Sequence, residues 1–199
     1  ILAIGLLLAK QTGIELNEAA LKAANAWVGG AVNLVIFAIL LVLGLLWAKR
    51  PVKEVLPFRA FPLPALVPML MLAVGWSFVV SDIDNLIQYF LPAPALIKQI
   101  MQDLLSSGAA AFFVLVIVAP VTEELFFRGF MLDGFRRRYT PTTAILLSST
   151  MFAVFHLNPY QFVGAFILGI AMAWLRLQTE SLWPCLFVHA AANGTAFVF

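Results

Sequence analysis

The sequence predicts an all-α protein, a polytopic transmembrane helix bundle of about seven membrane helices, and three observations carry that prediction. Hydrophobic residues form 63% of the 199 and charged residues only 11%, whereas a soluble domain carries about 25% charged residues. The mean hydropathy is +0.99. The apolar runs are separated by linkers that alternate between basic and acidic, as loops on opposite sides of a membrane do. Six or seven helices of about 20 residues fit the length, because a bilayer core is roughly 30 Å thick and a helix rises about 1.5 Å per residue. The whole chain, 1–199, is therefore expected to be one integral membrane domain. A net charge of +2 gives no reason to expect nucleic acid as a partner, and the lone Cys185 excludes an internal disulfide.

Ile1 to Ala9 reads as the truncated end of a first helix, with no cleavable signal peptide visible. Lys10 to Ala26 is polar and mixed, a loop or interfacial helix. Trp27 to Trp47 is a second span whose two tryptophans stand roughly 30 Å apart along a helix, the spacing of an aromatic belt. Lys49, Arg50, Lys53 and Arg59 follow among four prolines, which places that loop in the cytoplasm. Leu66 to Val80 is a third span. From Ser81 to Gly108 the chain is mixed, with Asp82, Asp84 and Asp103 against Lys98, and belongs outside. After Pro92 and Pro94, the residues Leu96, Ile97, Ile100, Met101, Leu104 and Leu105 recur at helical spacing, so an amphipathic interfacial helix is expected there. Ala109 to Leu132 is the fourth span, and Arg136, Arg137 and Arg138 after it belong inside. Thr142 to Leu157, Phe162 to Leu177 and Leu182 to Phe199 complete the set. In the sixth span, Ala165, Gly169 and Ala173 make a small-residue face on which a neighbouring helix can approach closely.

The fourth span contains Glu123, Glu124 and Arg128, three ionisable groups in an apolar segment. Each costs roughly 2.5 to 3.5 kcal/mol at bilayer depth. On a helix Glu124 and Arg128 lie about 40° apart and can pair, whereas Glu123 points about 100° away from Glu124 and stays free. Both histidines of the chain, His156 and His189, also fall in apolar segments. Phe152 shares a helix face with His156, and Asn193 shares one with His189. If the fourth and fifth spans form a hairpin near Tyr139-Thr140-Pro141, then Glu123 and His156 sit at the same depth.

Such a set suits hydrolysis of an amide by water. Glu123 would take the proton, His156 would hold the water or serve the leaving amine, and His189 and Asn193 would donate to the oxyanion, a contribution often worth about 3 kcal/mol. A second reading makes Glu123, His156 and His189 ligands of a zinc ion that activates the water, although no HExxH spacing is present. Cys185, one turn before His189, is a weaker alternative nucleophile.

Glu123-Glu124-x-x-x-Arg128, Phe152-x-x-x-His156 and His189-x-x-x-Asn193, in that order on successive helices, resemble the CPBP intramembrane protease family. That family includes the type II CAAX prenyl proteases and bacteriocin-processing or self-immunity proteins. The resemblance spans about Pro120 to Gly194, so the catalytic motifs are expected within 120–194. It implies that Glu123 and His156 activate the water, that His189 and Asn193 stabilise the oxyanion, and that Glu124 and Arg128 complete the first motif. It implies zinc or no metal at all, since both mechanisms are attributed to the family. The implied partners are the lipid bilayer and a membrane-associated peptide or protein, prenylated in some members. The expected location is a bacterial cell membrane, multi-pass, with the active site nearer the cytoplasmic face. Two other classes compete with an endopeptidase. One is a proton-coupled transporter with Glu123 and the histidines as a relay, and the other is a non-catalytic immunity or scaffold protein.

Overall fold

The computed structural model describes residues 17–198, so the first helix expected over Ile1 to Ala9 lies outside the described residues. Those residues form helices and no strand. We number them α1 (Glu18–Ala48), α2 (Val52–Val55), α3 (Leu66–Phe90), α4 (Ala95–Leu105), α5 (Ala109–Arg136), α6 (Pro141–Phe155), α7 (Pro159–Thr179) and α8 (Trp183–Val198). The architecture is a helical membrane bundle, as the sequence predicts.

Two boundaries differ from the sequence reading. The stretch before Trp27 is no loop from Glu18 onward, because Asn17 caps α1 by accepting from the backbone N–H groups of Ala19 and Ala20. The third span does not stop at Val80. Ser81 to Phe90 contains no helix breaker, so α3 carries Asp82 and Asp84 on its last turns and ends before Pro92. The amphipathic α4 then starts where Pro94 releases the chain. Among the described residues, four helices, α1, α3, α5 and α7, are long and apolar enough to cross a membrane. At 15 and 16 residues, α6 and α8 reach only about 22 to 24 Å, so the expected fifth and seventh spans are shorter than a bilayer core.

Charge separates the two ends of the bundle. Arg50 at the end of α1 pairs with Asp133 near the end of α5 and with Glu54. Arg59 pairs with Glu180 at the end of α7, and Ser181 donates to the carbonyl of Arg59. The opposite end is held by Lys22 against Asp103 at 2.9 Å and by Tyr160 donating to the carbonyl of Pro92. Hence α1 and α5 run parallel, and α6 returns antiparallel to α5 through the turn at 137–140. Phe127, Phe152, Met172, Cys185 and Val188, from α5 to α8, lie in the centre of the core.

Candidate active site

The backbone of α5 is irregular on both sides of its acidic pair. Two π-helical turns, Val114–Val118 and Leu125–Met131, flank the regular segment Ala119–Glu124. Pro120 explains the first. A proline inside a helix clashes with a carbonyl one turn back and donates no hydrogen bond, and a widened turn relieves the clash. In that register the N–H of Ala119 reaches Val114, and the next N–H in line would serve Leu115. Residue 120 has none to give. The Leu115 carbonyl is instead met by the side-chain amide of Asn193 on α8, at 2.8 Å. π-Turns of this kind often mark functional sites.

Glu124 is fully buried, and one of its oxygens, Oε1, accepts from two groups. Arg128 Nη1 lies at 3.1 Å and His189 Nδ1 at 2.8 Å. The guanidinium of Arg128, also fully buried, donates to the Gly169 carbonyl on α7 at 3.3 Å and lies over the Phe152 ring at 4.1 Å. It is therefore held by α5, α6 and α7 together. The cause of the close approach is Gly169, where a Cβ would sit 3.2 Å from the Ser149 backbone of α6 and 3.3 Å from Arg128 Nη2. That is the small-residue contact expected from the sixth span.

Glu123 has a different environment. Its side chain keeps 13% of its surface exposed, and His189 Nε2 lies 3.8 Å from its Oε2. The two ring nitrogens of His189 thus face the two glutamates, Nδ1 on Glu124 and Nε2 toward Glu123. With Nδ1–H donated to a carboxylate, Nε2 is a lone pair in the neutral ring and a donor in the imidazolium. His156 occupies the C-cap of α6, with Nδ1 2.9 Å from the Phe152 carbonyl. The next residue, Leu157, takes φ 50°, a left-handed conformation that costs a non-glycine residue roughly 1 kcal/mol. The Phe152 ring lies edge-on between the histidines, 4.8 Å from His156 and 5.6 Å from His189. His156 and His189 are both close enough to act electrostatically on Glu123.

The structure thus brings Glu123, Glu124, Arg128 and His189 into one contiguous row, with His156 beside it. Asn193 spends one amide hydrogen on Leu115 and keeps a second. Cys185 is buried and donates to the Met172 carbonyl at 3.2 Å, a satisfied core thiol with no opening to a substrate. For zinc, the test is whether Glu123, His156 and His189 converge. Among the described residues no three His, Cys, Asp or Glu side chains gather as a metal site requires. The donor set does not fit a metal as arranged.

Residues 105–195 match the family model described as type II CAAX prenyl endopeptidase Rce1-like. This segment of the chain is thus similar to that family. Among curated proteins, an Escherichia coli protein named "Uncharacterized 24.3 kDa protein" is 28% identical over 116 residues, covering 55% of this chain and 53% of its own length. A Bacillus subtilis protein named "Putative membrane peptidase YdiL" is 25% identical over 95 residues, covering 48% of this chain and 39% of its own. The chain thus spans about half or less of the relatives it matches, and no solved structure matches it. All six motif residues, from Glu123 to Asn193, lie in the Rce1-like segment. Two contacts that the motif reading missed involve residues it had not singled out. One is the Leu115 carbonyl, whose signal was Pro120. The other is Asn33 on α1, outside the Rce1-like segment, 2.9 Å from the hydroxyl of Thr122. An asparagine in the middle of the most apolar helix was its signal.

Proposed function

We propose that this protein is an intramembrane endopeptidase that hydrolyses a peptide bond of a membrane-associated protein or peptide, with its catalytic unit within 120–194 of a single membrane domain. The observation that carries the proposal is the pair of adjacent glutamates with opposite fates. Glu124 is paired with Arg128 and hydrogen-bonded to His189, while Glu123 makes no hydrogen bond among the described residues, is partly exposed and faces His189 Nε2. The Rce1-like match supports membrane peptidase chemistry.

In the reaction Glu123 takes a proton from water as the water oxygen attacks the peptide carbonyl carbon. His156 orients that water from the end of α6 and can relay the proton from Glu123 to the leaving amine. Glu124 holds the Nδ1–H of His189 and so orients the ring, whose Nε2, when protonated, donates to the oxyanion. The second amide hydrogen of Asn193 is available to the same oxygen. When the carbonyl reforms, the C–N bond breaks and Glu123 or His156 supplies the proton that the amine requires. Nothing in this sequence passes through a metal. A relay for transport finds less support, because the row Glu123, His189, Glu124, Arg128 ends on the backbone carbonyl of Gly169.

The substrate class that the Rce1-like match suggests is a CAAX-type tail presented from the basic, cytoplasmic side. A fluorescence-quenched farnesylated CAAX peptide, offered to the protein in proteoliposomes, tests this. Release of the tripeptide tail, identified by mass spectrometry, is expected. Cleavage only of an unprenylated membrane-spanning peptide would keep the endopeptidase and reject the substrate class, and cleavage of neither would reject both.

A further inference from the structure

Arg176, in the last turn of α7 at the basic end, is 7% exposed. Its Nε is buried without a hydrogen-bond partner, and the guanidinium makes no ion pair with any described residue. A buried guanidinium without a counter-charge is expensive. The nearby charged groups acting on it are Asp133, Arg136 and Glu180. Each acid pairs with another arginine instead. Asp133 is divided between Arg50 and Arg137, and Glu180 is held by Arg59. Eight of the twelve basic residues gather at this end against three acids, Glu54, Asp133 and Glu180. Among the described residues, none therefore forms an ion pair with Arg176.

We infer that Arg176 is the centre of an oxyanion-binding site at the basic end of the bundle, taking a phosphate group whose source is a phospholipid headgroup or free phosphate. An arginine fits this task because its planar fork donates two parallel hydrogen bonds to phosphate oxygens. The arginines around it raise the local concentration of anions, and at a membrane surface the anionic headgroups are the most abundant of these. The site lies at the base of α7, whose Gly169 holds Arg128, so its occupancy braces the helix that supports the candidate active site. This inference does not depend on the reaction.

The test uses the full chain, purified in an uncharged detergent and stripped of lipid, with its melting temperature followed by tryptophan fluorescence. Dioleoylphosphatidylglycerol, dioleoylphosphatidylcholine and inorganic phosphate are added separately to wild type, R176Q, R176K and R138Q. The site predicts that phosphatidylglycerol raises the melting temperature of wild type and of R138Q by about 3 °C, that R176K keeps part of the rise, and that R176Q responds no more than it does to phosphatidylcholine. If inorganic phosphate reproduces the rise in wild type and not in R176Q, the site is supported and its ligand is free phosphate. An equal rise in R176Q and wild type, an equal loss in R138Q and R176Q, or no rise in wild type would overturn it. Should R176Q fail to fold, native mass spectrometry of the wild type decides. One phosphatidylglycerol retained per chain, under activation that removes phosphatidylcholine, supports the site, and no selective retention overturns it.

Discussion

The two halves of this chain use apolar sequence in opposite ways. In α1 the most apolar stretch has a mean hydropathy of 2.7 and is 6% buried, and in α3 the values are 2.0 and 11%. In α5 the corresponding stretch is 50% buried at hydropathy 2.0, and in α7 it is 44% buried at only 1.5. The most hydrophobic helix is thus among the least buried. In lipid, apolar side chains gain little by turning inward, so packing, small residues and polar contacts choose the core helices. Glu124, Arg128, Gly169 and His189 are those contacts, and α5 to α8 close around them.

The comparison is broken most severely by attacking the ion pair at the centre of the second half. Replacing Arg128 by Met leaves Glu124 buried with only His189 against it, which is expected to cost about 3 to 5 kcal/mol, read as a large fall in the yield and melting temperature of folded protein. Leu43→Ala on the exposed face of α1 should stay within about 0.5 kcal/mol. Similar losses for the two variants would dissolve the distinction between the halves.

Gly169→Ala comes next. Its Cβ must push against the Ser149 backbone, so about 1 to 3 kcal/mol of overpacking is expected, together with a displaced Arg128. A double-mutant cycle of thermal stability sharpens the account of α5. Asn193→Ala leaves the Leu115 carbonyl without a partner, at about 1 to 3 kcal/mol. Pro120→Ala restores a backbone N–H for it, so the double variant should be more stable than Asn193→Ala alone. Strict additivity of the two changes would show that Asn193 does not compensate for the proline. The smallest effect is at Leu157→Gly. Removing the left-handed strain should leave stability unchanged or raise it by up to about 1 kcal/mol, while the looser C-cap lowers any activity that depends on His156.

The sequence made the second half legible where its polar residues violate the lipid. Glu124 and Arg128 were expected to pair from helical angles alone, and they do so at 3.1 Å. The levels of Phe127 and Phe152 across the α5–α6 turn, in ring contact at 5.3 Å, follow the predicted hairpin. The contact of His189 with Glu124 was not legible, because it joins residues 65 apart and depends on how α8 is rotated against α5. Nor was the engagement of Asn193 with Leu115, since helical angles assume a regular helix and Pro120 makes α5 irregular. In the first half the boundaries at Trp27 and Val80 were misplaced for a different reason. Hydropathy marks where a helix meets water, whereas capping by Asn17 and the breakers Pro92 and Pro94 decide where it ends.

Glu123→Gln tests the central claim most directly, since it removes the proposed base while keeping the size and burial of the side chain. With the farnesylated peptide in proteoliposomes, kcat/KM is expected to fall by about 10²- to 10⁴-fold, while the melting temperature stays within about 1 °C of wild type. Cleavage at the wild-type rate by folded Glu123→Gln would contradict the account.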